Sequence, residues 1–528
     1  VPQRPTGPLM PIRQTDFSGG VNAVTNPYVV GEKQLQRVRN MLLDEHGSLR
    51  TRDGFSVIST SPAAGPILLR GLLNQVNGTH SAYALQQQMN GTALVLYDTT
   101  TSPWTVINTF NSTEFLPQSV TMNNTDIIAL GYQTPVSYNG TTTTAITAGA
   151  GQSTPPGAKH IAFHLASLWV WNTNPATTSS DGPSSLRASD VNNFNSWPNA
   201  SQAFVGKDDG QVGMGMATYT IAETGISPTQ TLVLFKNISS YQVLGTFGAT
   251  NFSVQKIKTD MGCIAPRTIQ FVSGFGIIRL THKGFALFNG VDDRLISEEV
   301  RPYIYGRDDI TAINFSSVDR SWAVQSQNPP LYIAACPVNG TSLQRYFVYD
   351  LVRRAWTICD FPVDTSCLFL YTTANTQPLV QAGTAVTNQL LQLFSGAAND
   401  NGTAINWSFR TRNYNAGSPT GRAFFRRLIL DFFFIPIETV TVSSNVLGIG
   451  TPITKTDSFD GAPPSALWGT GTWGSMVWGA TGAADGRQDV DILRTAPSIY
   501  YDISGIGPVR LRALETQIRV KPFTRAVS

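Results

Sequence analysis

From about residue 65 the chain repeats one local pattern: a short apolar strand, a polar turn, then a second strand ending in Gly or Asp. Thr231-Leu-Val-Leu-Phe235 is followed by Ser240-Tyr-Gln-Val-Leu-Gly245, and Gly276-Ile-Ile-Arg-Leu280 by Gly284-Phe-Ala-Leu-Phe-Asn-Gly290. Leu331-Tyr-Ile-Ala-Ala335 with Arg345-Tyr-Phe-Val-Tyr-Asp350 repeats it, as does Gln389-Leu-Leu-Gln-Leu-Phe-Ser-Gly396 in part. Such hairpins cannot bury both faces alone, and stacked side by side they become the blades of a β-propeller. The spacing is uneven, so the pattern does not fix a blade count. A sandwich array or a long irregular β fold is the competing reading.

Composition agrees with a β-rich chain. Among 528 residues only 13% are charged, against roughly a quarter in ordinary domains. Gly 46 and Pro 31 add turn formers, and β-branched residues replace runs of helix formers. The formal charge of +3 is too small for non-specific nucleic-acid binding by the whole surface. Uncharged Asn, Thr and Ser surface suits subunits that cover one another in a particle. Cys263, Cys336, Cys359 and Cys367 form no CxxC pair and read as small hydrophobes in strands. No apolar run is long enough to span a bilayer. The chain begins with Val and shows no basic-then-apolar leader, which reads as a mature or trimmed form. Asn-x-Ser/Thr triplets, as at Asn77 and Asn339, are expected by chance in such a composition.

Three regions are expected: residues 1–64 as an N-terminal arm and docking helix packing on a platform, 65–402 as the propeller-like body, and 403–528 as a β-sandwich-like domain. The helix is placed over 32–43, where Leu35, Val38 and Leu42 fall on one face. Gly47 suits the turn after it, and Asp53-Gly54 a tight turn between short strands. The polar interval 133–158 reads as an exposed loop. Near the C-terminus, Gly421 to Phe434 and Gly507 to Val520 read as long strands. Between them, 456–487 reads as a tip loop carrying Trp468, Trp473 and Trp478, each followed by Gly. Those three rings are candidates for a distal contact.

Signature chemistry is missing. There is no GxSxG elbow, P-loop, HExxH or dinucleotide fingerprint. His160 and His164 would share a face only in a helix, and their surroundings read as a strand. The pairs Asp208-Asp209, Asp292-Asp293 and Asp308-Asp309 sit in turns. A glycosidase needs two carboxylates facing each other across a groove, which sequence alone does not place. The expectation is a non-enzyme without metal or cofactor.

The opening block, Phe17-Ser-Gly-Gly-Val-Asn followed by Asn26-Pro and Gly47-Ser-Leu-Arg-Thr-Arg-Asp-Gly-Phe55, resembles the start of tailed-bacteriophage head-to-tail connector and tail-hub proteins. Met261-Gly-Cys-Ile-Ala-Pro-Arg267 and Leu295-Ile-Ser-Glu-Glu-Val-Arg-Pro302 extend the resemblance to about half the chain. It implies a structural virion protein of the phage neck or tail: a self-assembled, commonly hexameric nozzle ring. Portal and adaptor proteins would lie above, tail proteins or fibres below, and double-stranded DNA would cross the lumen without sequence-specific binding. Phe17, Leu35, Arg37, Val38, Arg39, Leu42, Arg50 and Arg52 are then the expected assembly interface. The alternative reading is a carbohydrate-binding or carbohydrate-cleaving β-propeller of tail or secreted origin.

Overall fold

The computed structural model describes residues 8–44, 46–89, 91–111, 115–148, 155–175, 181–221, 229–307, 309–373, 377–415, 422–434, 440–446, 453–457 and 484–520. These residues form an almost entirely β fold, with Arg301–Tyr305 as the one α-helix among them.

Five four-stranded antiparallel sheets follow one another along the chain, over 67–111, 118–145, 158–204, 213–256 and 270–295. Each is a plain meander, as the strand-turn-strand pattern requires. A seven-stranded sheet then completes the body. It is two blades sharing one long strand, Ala355–Tyr371. The first half of that strand pairs with Leu343–Asp350, and the second half, from Thr365, pairs with Leu379–Thr384. The outermost strand of the last blade is Ser56–Thr60, from the start of the chain, paired with Gln389–Leu393.

The innermost strands close a ring. Ile67–Asn74 packs against Gln118–Met122, and contacts continue through Ala158–His164, Gly213–Ile221, Gln270–Val272 and Trp322–Gln327 to Ala355–Tyr371, which returns to Ile67–Asn74. Five separate sheets and two joined ones therefore make seven blades around one axis. Because Ser56–Thr60 is followed within a few residues by the innermost strand of the first blade, the chain clasps its own ring. That removes the open edge a linear array would leave.

Turn chemistry sets several blade hairpins. Asn123 and Asn124 both have positive φ (50° and 59°) and join Gln118–Met122 to Thr125–Ala129 in a two-residue turn. Gly54 is held by backbone approach: a Cβ there would lie 1.7 Å from the Asn399 carbonyl oxygen.

Two six-stranded sheets form a platform beside the blades. Ala423–Phe434 and Val509–Val520 pair along most of their length in one sheet, with Met10–Gln14 on the far side of Val509–Val520. Asn406–Arg410, Ser498–Ile506 and Val440–Asn445 centre the other. One core joins platform to body, running from Phe17, Leu35, Val38 and Leu49 through Trp407 and Leu428 to Phe285, Phe347 and Trp356 of the fifth and sixth blades.

Two expectations are corrected here. Residues 32–43 form no helix; they form Gln34–Leu35, Arg37–Arg39 and Met41–Leu43. Each short strand pairs with a different partner: Gly20–Val21, Asn406–Arg410 and Leu49–Thr51 respectively. Asn40, at φ 58°, turns the chain between the last two. Strand pairing with three different segments, one of them as far along the chain as Asn406–Arg410, outweighed a helical spacing. The interval 133–158 is also not simply a loop, because Val136–Tyr138 and Thr143–Ala145 are the outer strands of the second blade. Val136, Tyr138 and Ile146 are buried there.

Candidate functional site

The ring of inner strands surrounds an open cavity of about 410 Å³. Its walls come from all seven blades: Leu69 and Arg70, Gln118 and Ser119, Ile161, Met216, Ile269 and Gln270, Trp322 through Gln325 with Gln327, and Leu368 through Leu370. Pro117, Pro266 and Arg267 close it from the segments entering the second and fifth blades. Single residues on seven rigid strands thus converge on one space, the arrangement by which this architecture makes small-ligand sites.

The polar groups are amides and guanidiniums. Gln118 Oε1 accepts from the Ile161 amide at 3.3 Å, and Gln270 Nε2 donates to the Ala323 carbonyl at 2.9 Å. Each contact orients the amide and leaves its other end, Gln118 Nε2 and Gln270 Oε1, unpaired among the described residues. Gln325 and Gln327 line the same wall. Trp322 contributes the large aromatic surface. No carboxylate is among these lining residues.

Arg267 reaches from the fifth blade to the second. Its Nη2 donates to the Leu116 and Pro117 carbonyls, the latter at 3.1 Å, and its guanidinium carbon sits 5.1 Å from the centre of the Trp322 ring. Burial without a contacting carboxylate pushes its pKa down to about 9. Arg70, only 5% exposed, donates Nε to Gln381 Oε1 at 3.2 Å and Nη1 to the Tyr83 carbonyl and Thr99 hydroxyl. Burial pushes its pKa down to about 10.

The residues singled out in the sequence lie elsewhere. Phe17, Leu35, Val38 and Leu42 are buried core residues. All four arginines of that block are paired within the chain. Arg37 meets Asp309, holding that carboxyl down to about 2 by hydrogen bonding, and Arg39 meets Asp360 at 2.7 Å. Arg50 meets Asp53 at 2.9 Å, and Arg52 meets Asp400 at 2.7 Å. Trp468, Trp473 and Trp478 lie outside the described residues.

One member of each acidic turn pair is likewise tied down: Asp209 to Lys236, Asp293 to Arg279, and Asp309 to Arg37. His160 Nε2 lies 3.1 Å from the Gly213 carbonyl, and burial holds its pKa near about 3. All four cysteines are buried free thiols, in line with their reading as small hydrophobes.

Sequence reasoning did not find the cavity. One signal was present: Arg70 interrupts the apolar run Ile67-Leu-Leu-Arg-Gly-Leu-Leu73, and a lone cation in a central strand needs an explanation.

No family model and no curated protein matches the chain. Among solved structures, the fold is similar to BBS1N in complex with ARL6DN, with 11% identity, TM-score 0.38, and coverage of 66% of this chain and 98% of that one. It is similar to the Pan2 WD40 domain of Neurospora crassa, with 9% identity, TM-score 0.35, and coverage of 65% and 95%. BamB from Moraxella catarrhalis gives 9% identity, TM-score 0.35, and coverage of 67% and 95%. Likenesses this low carry no function across.

They do correct one expectation. These similar structures are not phage connectors, which overturns the expected connector family, DNA-conducting ring and virion location. A physical reason lies in the motifs that suggested them. Gly20 (φ 61°), Gly47 (φ 73°) and Gly54 are turn and close-approach positions that any chain folding a platform against blades would need.

Proposed function

We propose that this chain is a carbohydrate-binding propeller whose site is the central cavity. The observation carrying this reading is the chemistry of the wall. Amides that can both donate and accept, Gln118, Gln270, Gln325 and Gln327, line one open cavity together with Trp322. Sugars present alternating hydroxyls and apolar C–H faces, which amides and an aromatic ring match respectively. Binding is favoured over cleavage because glycoside hydrolysis takes two carboxyl groups about 5–9.5 Å apart across the substrate. The wall supplies none, and Asp209, Asp293 and Asp309 of the acidic turn pairs are engaged by Lys236, Arg279 and Arg37.

The test is a glycan array of acidic and neutral oligosaccharides, followed by calorimetry on the strongest binders. Saturable binding is expected, weakened at least tenfold by Gln325→Ala with Gln327→Ala and without release of shorter sugars. A folded protein that binds no glycan overturns the reading.

A further inference from the structure

Two cations line the cavity, and no acid is among the other lining residues. The acids that act on them, Asp319 on Arg267 and Asp98 on Arg70, do so through space. Each guanidinium keeps at least one nitrogen without an acceptor among the described residues. Arg267 commits Nη2 to the Leu116 and Pro117 carbonyls, which leaves the buried Nε and also Nη1 without an acceptor among the described residues. Arg70 commits Nε and Nη1, which leaves Nη2. The carbonyls and amides that hold them are neutral. They fix the direction of each guanidinium but do not balance its charge.

Elsewhere this fold treats buried cations differently. Arg52 is matched by Asp400, Arg279 by Asp293 and Lys236 by Asp209, each within hydrogen-bond distance. A buried charge left without a partner costs several kcal/mol, and these three cations avoid that cost. Arg70, Arg267 and Arg345 have no carboxylate in contact among the described residues; Arg345 is held by the Tyr303 and Thr311 carbonyls away from the cavity, whereas Arg70 and Arg267 line the same space. The depressed pKa of each guanidinium expresses that unmet charge. Arg267 is also braced between the second and fifth blades and over Trp322, so little side-chain freedom remains to be lost on binding.

We propose that the cavity is selective for acidic sugars, with the carboxylate of a uronate residue received by Arg267 Nη1 and Arg70 Nη2 while the amide wall holds the hydroxyls. This rests on the carbohydrate-binding reading and narrows it. Free anions such as acetate or phosphate share the charge but lack the hydroxyls, and bind weakly.

The experiment compares trigalacturonate with its methyl ester by calorimetry on the full chain, at two salt concentrations, with acetate and phosphate as controls. The acid is expected to bind at least tenfold more tightly than the ester, the ratio one charge-assisted hydrogen bond supplies, and to weaken as salt rises. Arg267→Gln should erase most of the preference for the acid over the ester. Equal affinity for acid and ester in the wild-type chain overturns the selectivity and leaves carbohydrate binding standing. Failure to bind either overturns both. Acetate or phosphate binding as tightly as the trisaccharide overturns the sugar and leaves a simple anion site. Because the wild-type comparison needs no substitution, a misfolded variant does not remove the test.

Discussion

Arg52 and Asp400 face each other through two parallel hydrogen bonds, Nη1 to Oδ1 at 2.8 Å and Nη2 to Oδ2 at 2.7 Å, across 348 positions of sequence. Both side chains are almost completely buried, at 1% and 5% exposure. The remaining guanidinium donors are also used: Nε on Asn40 and Nη2 on the Asp360 carbonyl. The pair lies just before the clasp strand Ser56–Thr60 and just after the last blade strand, Gln389–Leu393. It therefore locks the two ends of the ring.

Removing one partner leaves the other charged and dry. Asp400→Asn or Arg52→Met alone is expected to cost about 3–5 kcal/mol, whereas the double substitution should recover much of that loss. Urea unfolding of the three variants checks this, and a double variant as unstable as the worse single one contradicts it.

Acid sensitivity should centre on the third blade. His160 and His164 lie on its innermost strand, both buried, and burial lowers their pKa to about 3 and about 4, with the Arg267 charge adding to the first. In the unfolded chain each titrates near 6.5. The folded state thus binds fewer protons than the unfolded state between those values. Stability is full above about 6.5 and falls as the pH drops towards 4, by up to about 1.4 kcal/mol per unit for each histidine. Denaturation from pH 7.5 to 4.5 should show a smaller loss in His160→Gln and His164→Gln than in the parent chain.

The blades were readable in the sequence because their signal is local. Gly276–Thr281 and Gly284–Phe288 pair across a short turn, and the apolar run alone betrays both strands. Residues 32–43 were not readable for the opposite reason. Leu35, Val38 and Leu42 satisfy a helical spacing, but their strands exist only by pairing with partners such as Asn406–Arg410, far along the chain. The cavity is harder still. Gln118, Gln270 and Trp322 carry no motif, and only closure of the ring brings them to one space.

Thiol chemistry offers a direct reading of core integrity. Burial raises the Cys263 thiol to about 11 and the Cys336, Cys359 and Cys367 thiols to about 12, so almost no thiolate exists at neutral pH. A disulfide reagent at pH 8 should modify none of the four in the native chain and all four in denaturant. Rapid modification of one thiol in the native state would place a break in the blade that carries it.

One hairpin carries strain that a substitution can release. Leu165 and Ala166 form the turn between Ala158–His164 and Ser167–Thr173, and both sit at positive φ, 48° and 59°. The turn is a two-residue hairpin of the kind that favours Asn-Gly, because its twist matches the flanking strands but crowds any Cβ. Asn123-Asn124 solves the same problem in the preceding blade with residues that tolerate the conformation. At Leu165-Ala166 the strain is tolerated because the Ala166 carbonyl accepts from the Asn192 amide at 2.7 Å and fixes the turn from outside. Ala166→Gly keeps that carbonyl in place and removes the crowding, while giving back some entropy in the unfolded chain. The expected result is a net gain of about 0.5–1 kcal/mol, measured as a higher urea midpoint at unchanged slope. Ala166→Val should move the midpoint the other way, and a neutral pair of substitutions would show that the loop relaxes without cost.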